Sequence, residues 1–109
     1  MEYINHINAA EEDMLTNKYL FFNVDKEIYG IELSYVTEII GMHDITHVPQ
    51  LPDFIKGVIN VRGNIIPVMD LRIRFKKGTK DYVERTTIII VNIADYVLGL
   101  IVDNAIEVG

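Results

Sequence analysis

His43 and His47 stand four residues apart in "MHDITHVP". On a helix that spacing would place two imidazoles on one face, the beginning of a metal site. The segment instead alternates apolar and polar residues and runs into Pro49 and Pro52. It reads as an edge strand, or an extended segment ending in a turn, where residues four apart lie about 13 Å from each other. No metal site is expected. Ser34 is the sole serine, without a G-x-S-x-G setting, and cysteine is absent. Thiolate chemistry and disulfides are therefore excluded, and no nucleophile is paired with a base. Asp70 follows "IIPVM" and Asp103 follows "GLIV", but no spacing joins them as an acid/base pair. One lone cation remains. Arg62 sits at the turn of "FIKGVINVRGNIIPVMDLR", between two of the most apolar runs in the chain. It is either a solvated hairpin-end residue paired with a nearby acid, Glu38 being the candidate, or an anchor at an interface, where arginine is enriched.

The elements that would carry these groups are mostly strands. "KYLFFNV" and "IYGIEL" flank "DKE" and read as a hairpin. In "SYVTEIIG", Ser34 can cap a two-turn helix. Val36, Ile39 and Ile40 would share its face, and Gly41 would end it. "PDFIKG" reads as one helical turn from Pro52 to Gly57. "GVINVR" and "IIPVMDLRIRF" form a second hairpin, with Gly63-Asn64 as a two-residue turn. After the charged loop "KKGTKDYVER", the runs "TTIIIVNI" and "YVLGLIVD" make a third hairpin about "AD". Turn signals every 8 to 12 residues predict an all-β sandwich or small barrel with one or two short helices.

The chain has 109 residues, half of them hydrophobic, and a net charge of −6. That balance suits a soluble globular domain, and the acidity argues against nucleic-acid binding through phosphates. The apolar runs are too short to cross a bilayer. The first 17 residues are polar and acidic and predict a flexible arm, with one short helix around residues 8–15. They lack the basic and apolar regions of a signal peptide, so a cytoplasmic location is expected. An internal echo also appears. "FFNVDKEIYGIELSYVTEI" (21–39) lies over "IVNIADYVLGLIVDNAIEV" (90–108) without a gap. Asn23 meets Asn92, Gly30 meets Gly99 and Glu38 meets Glu107, the pattern of a duplicated unit.

"YGIELSYVTEIIG", "PDFIKGVINVRGNIIPVMDLRIRF" and "TTIIIVNI…LGLIVDNAIEV" resemble the CheW family of chemotaxis coupling proteins, over about residues 18–109. The resemblance rests most on Gly57, Asn60, Arg62, Gly63, Pro67, Asp70 and Leu71 in one strand–turn–strand. It implies two SH3-like, five-stranded β-barrels packed side by side, the first at about 18–75 and a partial second at about 76–109. It implies a non-enzymatic adaptor without cofactors, in two-component signal transduction at the chemoreceptor array. The partners would be the regulatory domain of the histidine kinase CheA and the cytoplasmic tip of the receptors. Val36, Glu38, Ile39, Gly57, Val58, Asn60, Arg62 and Val102 match positions near the receptor contact. The groove would run between Val58–Arg62 and Val102–Glu107. Gly41, His43, Ile45 and Val48 match the kinase edge. Gly30, Gly63, Pro67, Asp70 and Gly99 would be structural. Members usually run further, so open edges and a strand-swapped homo-oligomer are expected. The other readings are the same module inside a larger kinase or receiver-fused protein, or a small barrel that carries a ligand or oligonucleotide. The last would need aromatics beside basic residues, and Phe21, Phe22 and Phe54 have no basic neighbours on their faces.

Overall fold

The computed structural model describes residues 18–109, and the arm with its short helix expected over residues 1–17 lies outside them. β1 (Tyr19–Val24) and β2 (Glu27–Glu32) form the first expected hairpin, turning at Asp25 and Lys26. A 3-10 turn, Leu33–Tyr35, leads into β3 (Val36–Gly41). β4 (Ile55–Val61) and β5 (Asn64–Asp70) form the second hairpin, followed by the four-residue α1 (Leu71–Arg74). β6 (Thr87–Ile93) and β7 (Tyr96–Val102) form the third, and β8 (Asn104–Val108) comes last.

Four local expectations are corrected. Residues 34–41 are not a helix, and Ser34 caps nothing. Four of the six residues of β3 are β-branched, and β6 supplies a full partner ladder, so pairing overrides the helical spacing. The "PDFIKG" turn ends at Phe54, and Lys56 and Gly57 already belong to β4. The hairpin turn is Arg62-Gly63, not Gly63-Asn64. Val61 pairs with Asn64, both turn residues have positive φ (51° and 88°), and Asn60 Oδ1 accepts the Gly63 N–H. This register matches Ile59 with Ile66 and Gly57 with Val68. Finally, "LRIR" is helical rather than extended, because the Asp70 carboxylate accepts the N–H groups of Arg72 and Ile73.

The strands make two sheets, β2-β1-β8 and β3-β6-β7-β5-β4, antiparallel except for β5 beside β7. Pro67 lies opposite Val58, and β5–β7 pairing begins only at Val68, so the missing N–H of the proline breaks no ladder bond. The chain after β3 returns to β4 at Thr46, which exchanges two backbone hydrogen bonds with Val58. The segment after β3 thus covers the β4 edge, and the five-stranded sheet curls into a small barrel of SH3-like, all-β type. Strand pairing crosses the 75/76 division: β3 pairs with β6, β5 with β7, and β1 with β8.

The echo in the sequence is reproduced in the ladders. Phe22 pairs with Tyr29 and with Ala105; at the 69-residue offset, Val91 pairs with Leu98 and with Val36. Phe21–Glu107 answers Ile90–Glu38, and Leu20–Val108 answers Ile89–Ile39. A β-bulge recurs as well, at Thr37 in β3 and at Ile106 in β8. The third strand of each unit pairs with the first strand of the other, so the two units exchange strands reciprocally.

Two cores result. Leu20, Phe22, Val24, Val36, Leu71, Ile89, Val91 and Val102 fill the space between the sheets. Ile59, Val61, Ile66, Val68, Ile88, Ile90 and Ile101 fill the barrel. β6 serves both, which is why "IIIV" is apolar without alternation. Each of its buried side chains stabilises the fold by about 1.5–3 kcal/mol relative to exposure.

Candidate functional site

The bulge at Thr37 decides where Glu38 points. Val36 faces the core between the sheets, and in regular alternation Glu38 would face it too. The extra residue turns Glu38 to the side of Ile90 and Ile40, at the mouth of the barrel. Thr37 Oγ1 donates to the Ile90 carbonyl and fixes the bulge. From the other side, the left-handed backbone at Arg62 aims its guanidinium at the same spot. The two residues form the pair expected from the sequence. Arg62 Nη1 donates to Glu38 Oε2 at 2.9 Å, and Nη2 donates to Oε1. These hydrogen bonds hold the Glu38 carboxyl below its ordinary pKa, while partial burial opposes them. The planar, two-point arrangement fixes geometry as well as charge.

The pair stands on the rim of a cleft of about 280 Å³, with Val61, Ile66, Ile90 and Val97 in its lining and Ile65 beside them. Arg62 and Ile65 are largely exposed. The carboxylate of the cleft, Glu38, is held by Arg62, and its hydroxyl, Thr37, donates to the Ile90 carbonyl. An apolar floor with one oriented ion pair suits recognition of a surface rather than turnover. Among the described residues, no group of three or more His, Cys, Asp or Glu is placed to hold a metal.

The other candidate residues separate into exposed and buried sets. Ile39 and Asn60 are exposed near the pair. Val58 is half-buried beside Thr46. Val36 and Val102 lie buried in the core between the sheets. Gly57 is buried as well. On the proposed kinase edge, Gly41 and His43 are exposed, and His43 Nδ1 lies 3.1 Å from the Gly41 carbonyl. Ile45 packs on the barrel core, and Val48 is half-buried. Thr37, Ile65 and Val97 line the cleft but were not singled out in the sequence. Ile65 carried a signal: two adjacent isoleucines in a strand must face opposite sides, so one of them leaves the core.

The structural candidates have definite surroundings. A Cβ on Gly99 would come within 2.8 Å of Ile88 Cγ2 and 2.9 Å of Val68 Cγ1, so β5 packs where a side chain would be. Gly30, its counterpart at the 69-residue offset, is exposed, with the ring of Phe21 beside it. Gly63 supplies the second positive φ of its turn, and Pro67 is exposed. Asp70 is buried; besides capping α1, it accepts the Tyr82 hydroxyl at 2.7 Å. It does not pair with Arg72 or Arg74 through their guanidinium groups. Arg72 binds Asp103 Oδ2 at 2.6 Å and Asp25 Oδ1 at 3.0 Å, while Arg74 lies over the Phe54 ring, which corrects the expectation that Phe54 has no basic neighbour. Asp70, Arg72 and Asp103 line a second cavity, of about 430 Å³, in which Arg72 pairs with Asp103 and Asp25 while Asp70 accepts the Tyr82 hydroxyl.

The CheW-like domain family matches residues 18–109. The chemotaxis protein CheW of Klebsiella aerogenes is 41% identical over 102 residues, 94% of this chain and 61% of that protein. The Bacillus subtilis CheW is 37% identical over 91 residues, 84% of this chain and 58% of that one. Among solved structures, the scaffolding protein TtCheW from Thermoanaerobacter tengcongensis superposes with a TM-score of 0.80 at 42% identity. That match covers 84% of this chain and 63% of the other. The chain therefore spans about three fifths of the length of these relatives.

Proposed function

The chain belongs to the CheW-like family, and from that premise we propose that it is a non-catalytic adaptor joining a CheA-type histidine kinase to the cytoplasmic tip of chemoreceptors. One observation carries the reading: the Glu38–Arg62 pair stands oriented at the rim of an apolar cleft. A receptor tip offers apolar ridges with polar flanks. The cleft would take a ridge, and the pair would fix its register. Ile39, Asn60 and Ile65 would extend this contact. Val36 and Val102 would act from beneath by shaping the two walls. The exposed part of the Gly41–Val48 segment would serve the kinase side, and the protein would work in the cytoplasm beside the receptors. No helix among the described residues is long and apolar enough to cross a membrane.

The test is a calorimetric titration of this chain with a CheA regulatory domain and, separately, with a soluble receptor-tip hairpin. We expect saturable binding to both. Arg62→Ala should weaken the receptor arm by about tenfold or more, since truncation of an interface anchor is felt at that level. Absence of binding to both partners would refute the adaptor reading. Undiminished receptor binding by the variant would refute the role of the pair.

A further inference from the structure

The bulge that precedes Gly57 leaves an opening in β4. Ile55 pairs with Met69 and Gly57 with Val68, so Lys56 is the extra residue, and Gly57 adopts a φ of +143°. The opening is filled. A Cβ at position 57 would lie 2.1 Å from the carbonyl oxygen of Thr46, 2.9 Å from its carbon and 3.0 Å from Ile45 Cγ2. Beside it, Thr46 N–H donates to Val58 O at 2.8 Å, and Val58 N–H donates to Thr46 O at 3.0 Å. Met42 and Ile45 of the same segment pack on the barrel core, while His43, Asp44, Thr46 and His47 stay exposed.

We propose that Gly57 is a positioning residue rather than a contact residue: the Thr46 carbonyl seated in its side-chain space latches residues 42–48 onto β4. The latch rests on the geometry alone. Its consequence rests on the adaptor reading. The exposed side of residues 42–48 and the Asn60–Arg62 end of β4 are then presented together, so the proposed kinase and receptor contacts share one fixed backbone. Any side chain at position 57 expels the Thr46 carbonyl and is also disfavoured by the positive φ. The three atoms nearest to such a Cβ all belong to Ile45 and Thr46, and β5 separates β4 from β7 and β6.

The test uses the whole chain and two variants. Gly57→Ala fills the opening from β4. Thr46→Pro removes one latch hydrogen bond from the other side and leaves β4 unchanged. Amide hydrogen exchange is followed residue by residue, and affinity for the CheA regulatory domain and the receptor-tip hairpin is measured in parallel. Exchange at Val58 should accelerate about tenfold or more in both variants, and at Thr46 in Gly57→Ala, while Ile88–Val91 keep their protection. Both partners should bind more weakly, and the receptor arm decides for Thr46→Pro, because exposed Thr46 lies on the proposed kinase side. Unchanged exchange at Val58 overturns the latch. Loss of protection across β6 also overturns it, because Gly57 would then be a general fold residue. Faster exchange with undiminished affinity refutes the coupling. If the unmodified chain binds neither partner, the adaptor reading falls, and the exchange data still decide the latch.

Discussion

Replacing Arg72 with alanine should destabilise both sheets together. Its guanidinium ties three places: α1, which carries it; the β1–β2 turn, through Asp25; and the β7–β8 junction, through Asp103. The side chain is 13% exposed, and that of Asp103 is 23% exposed. Opposite charges some 4 Å apart attract by about 4 kcal/mol at an effective dielectric near 20. Desolvation of the mostly buried guanidinium offsets part of this. Truncation also strands Asp103, whose Oδ2 additionally accepts the Asp25 N–H, beside the Asp25 carboxylate. We expect Arg72→Ala to lose about 2–3 kcal/mol. With an m-value of about 1.5 kcal/mol/M, the urea midpoint should fall by roughly 1.3–2 M. Urea unfolding of Arg72→Ala, Asp103→Asn and the double variant should give a coupling of at least about 1 kcal/mol. A single-variant loss below about 0.5 kcal/mol, or additive losses, would refute a clamp between the sheets.

Two further outcomes follow from the geometry. Gly99→Ala should cost about 1–3 kcal/mol by overpacking Ile88 and Val68, whereas Gly30→Ala should stay within about 0.5 kcal/mol because only the end of the Phe21 ring must move. Thermal unfolding of both variants checks this, and equal losses would contradict it. Burial, with the hydrogen bond to Asp70, pushes the Tyr82 phenol above its ordinary pKa. A raised folded-state value means the stabilising contribution is complete below the unfolded tyrosine value near 10 and fades as pH rises through the folded one. The stability gap between the native chain and Tyr82→Phe should therefore be flat at neutral pH and close in strong alkali. A gap that widens there would reverse the assignment.

Much of this architecture was legible because local chemistry and pairing agree. Asp25-Lys26 and Ala94-Asp95 sit between runs that pair as the sequence implies. The 69-residue echo needed no structure to be seen. The Glu38–Arg62 pair was named from the chain alone, although the device that creates it was not. The bulge at Thr37 breaks the alternation of β3, and the resulting i, i+3, i+4 spacing of Val36, Ile39 and Ile40 imitates a helix. What settles the strand is β6, about fifty residues away, which no local window contains. The surroundings of Gly57 were hidden for a similar cause. A glycine in a strand announces a close approach, but nothing nearby in the sequence says that Thr46 is what approaches. Val36 and Val102 matched contact positions in the resemblance, yet their burial depends on both sheets at once.

The reciprocal exchange of third strands also sets a timetable. Leu20 and Val108 are ladder partners 88 positions apart. At 5–20 residues per second, β1 leaves the ribosome roughly 4–18 s before its partner exists. Through that interval the edge of β1 is bare, with Leu20, Phe22 and Val24 beside it, and β3 likewise waits for β6. Neither unit can finish alone, since each lacks a strand that the other must deliver. Such long-range closure slows folding and prolongs exposure to aggregation. A nascent chain of this design stays open to association longer than its small size would suggest.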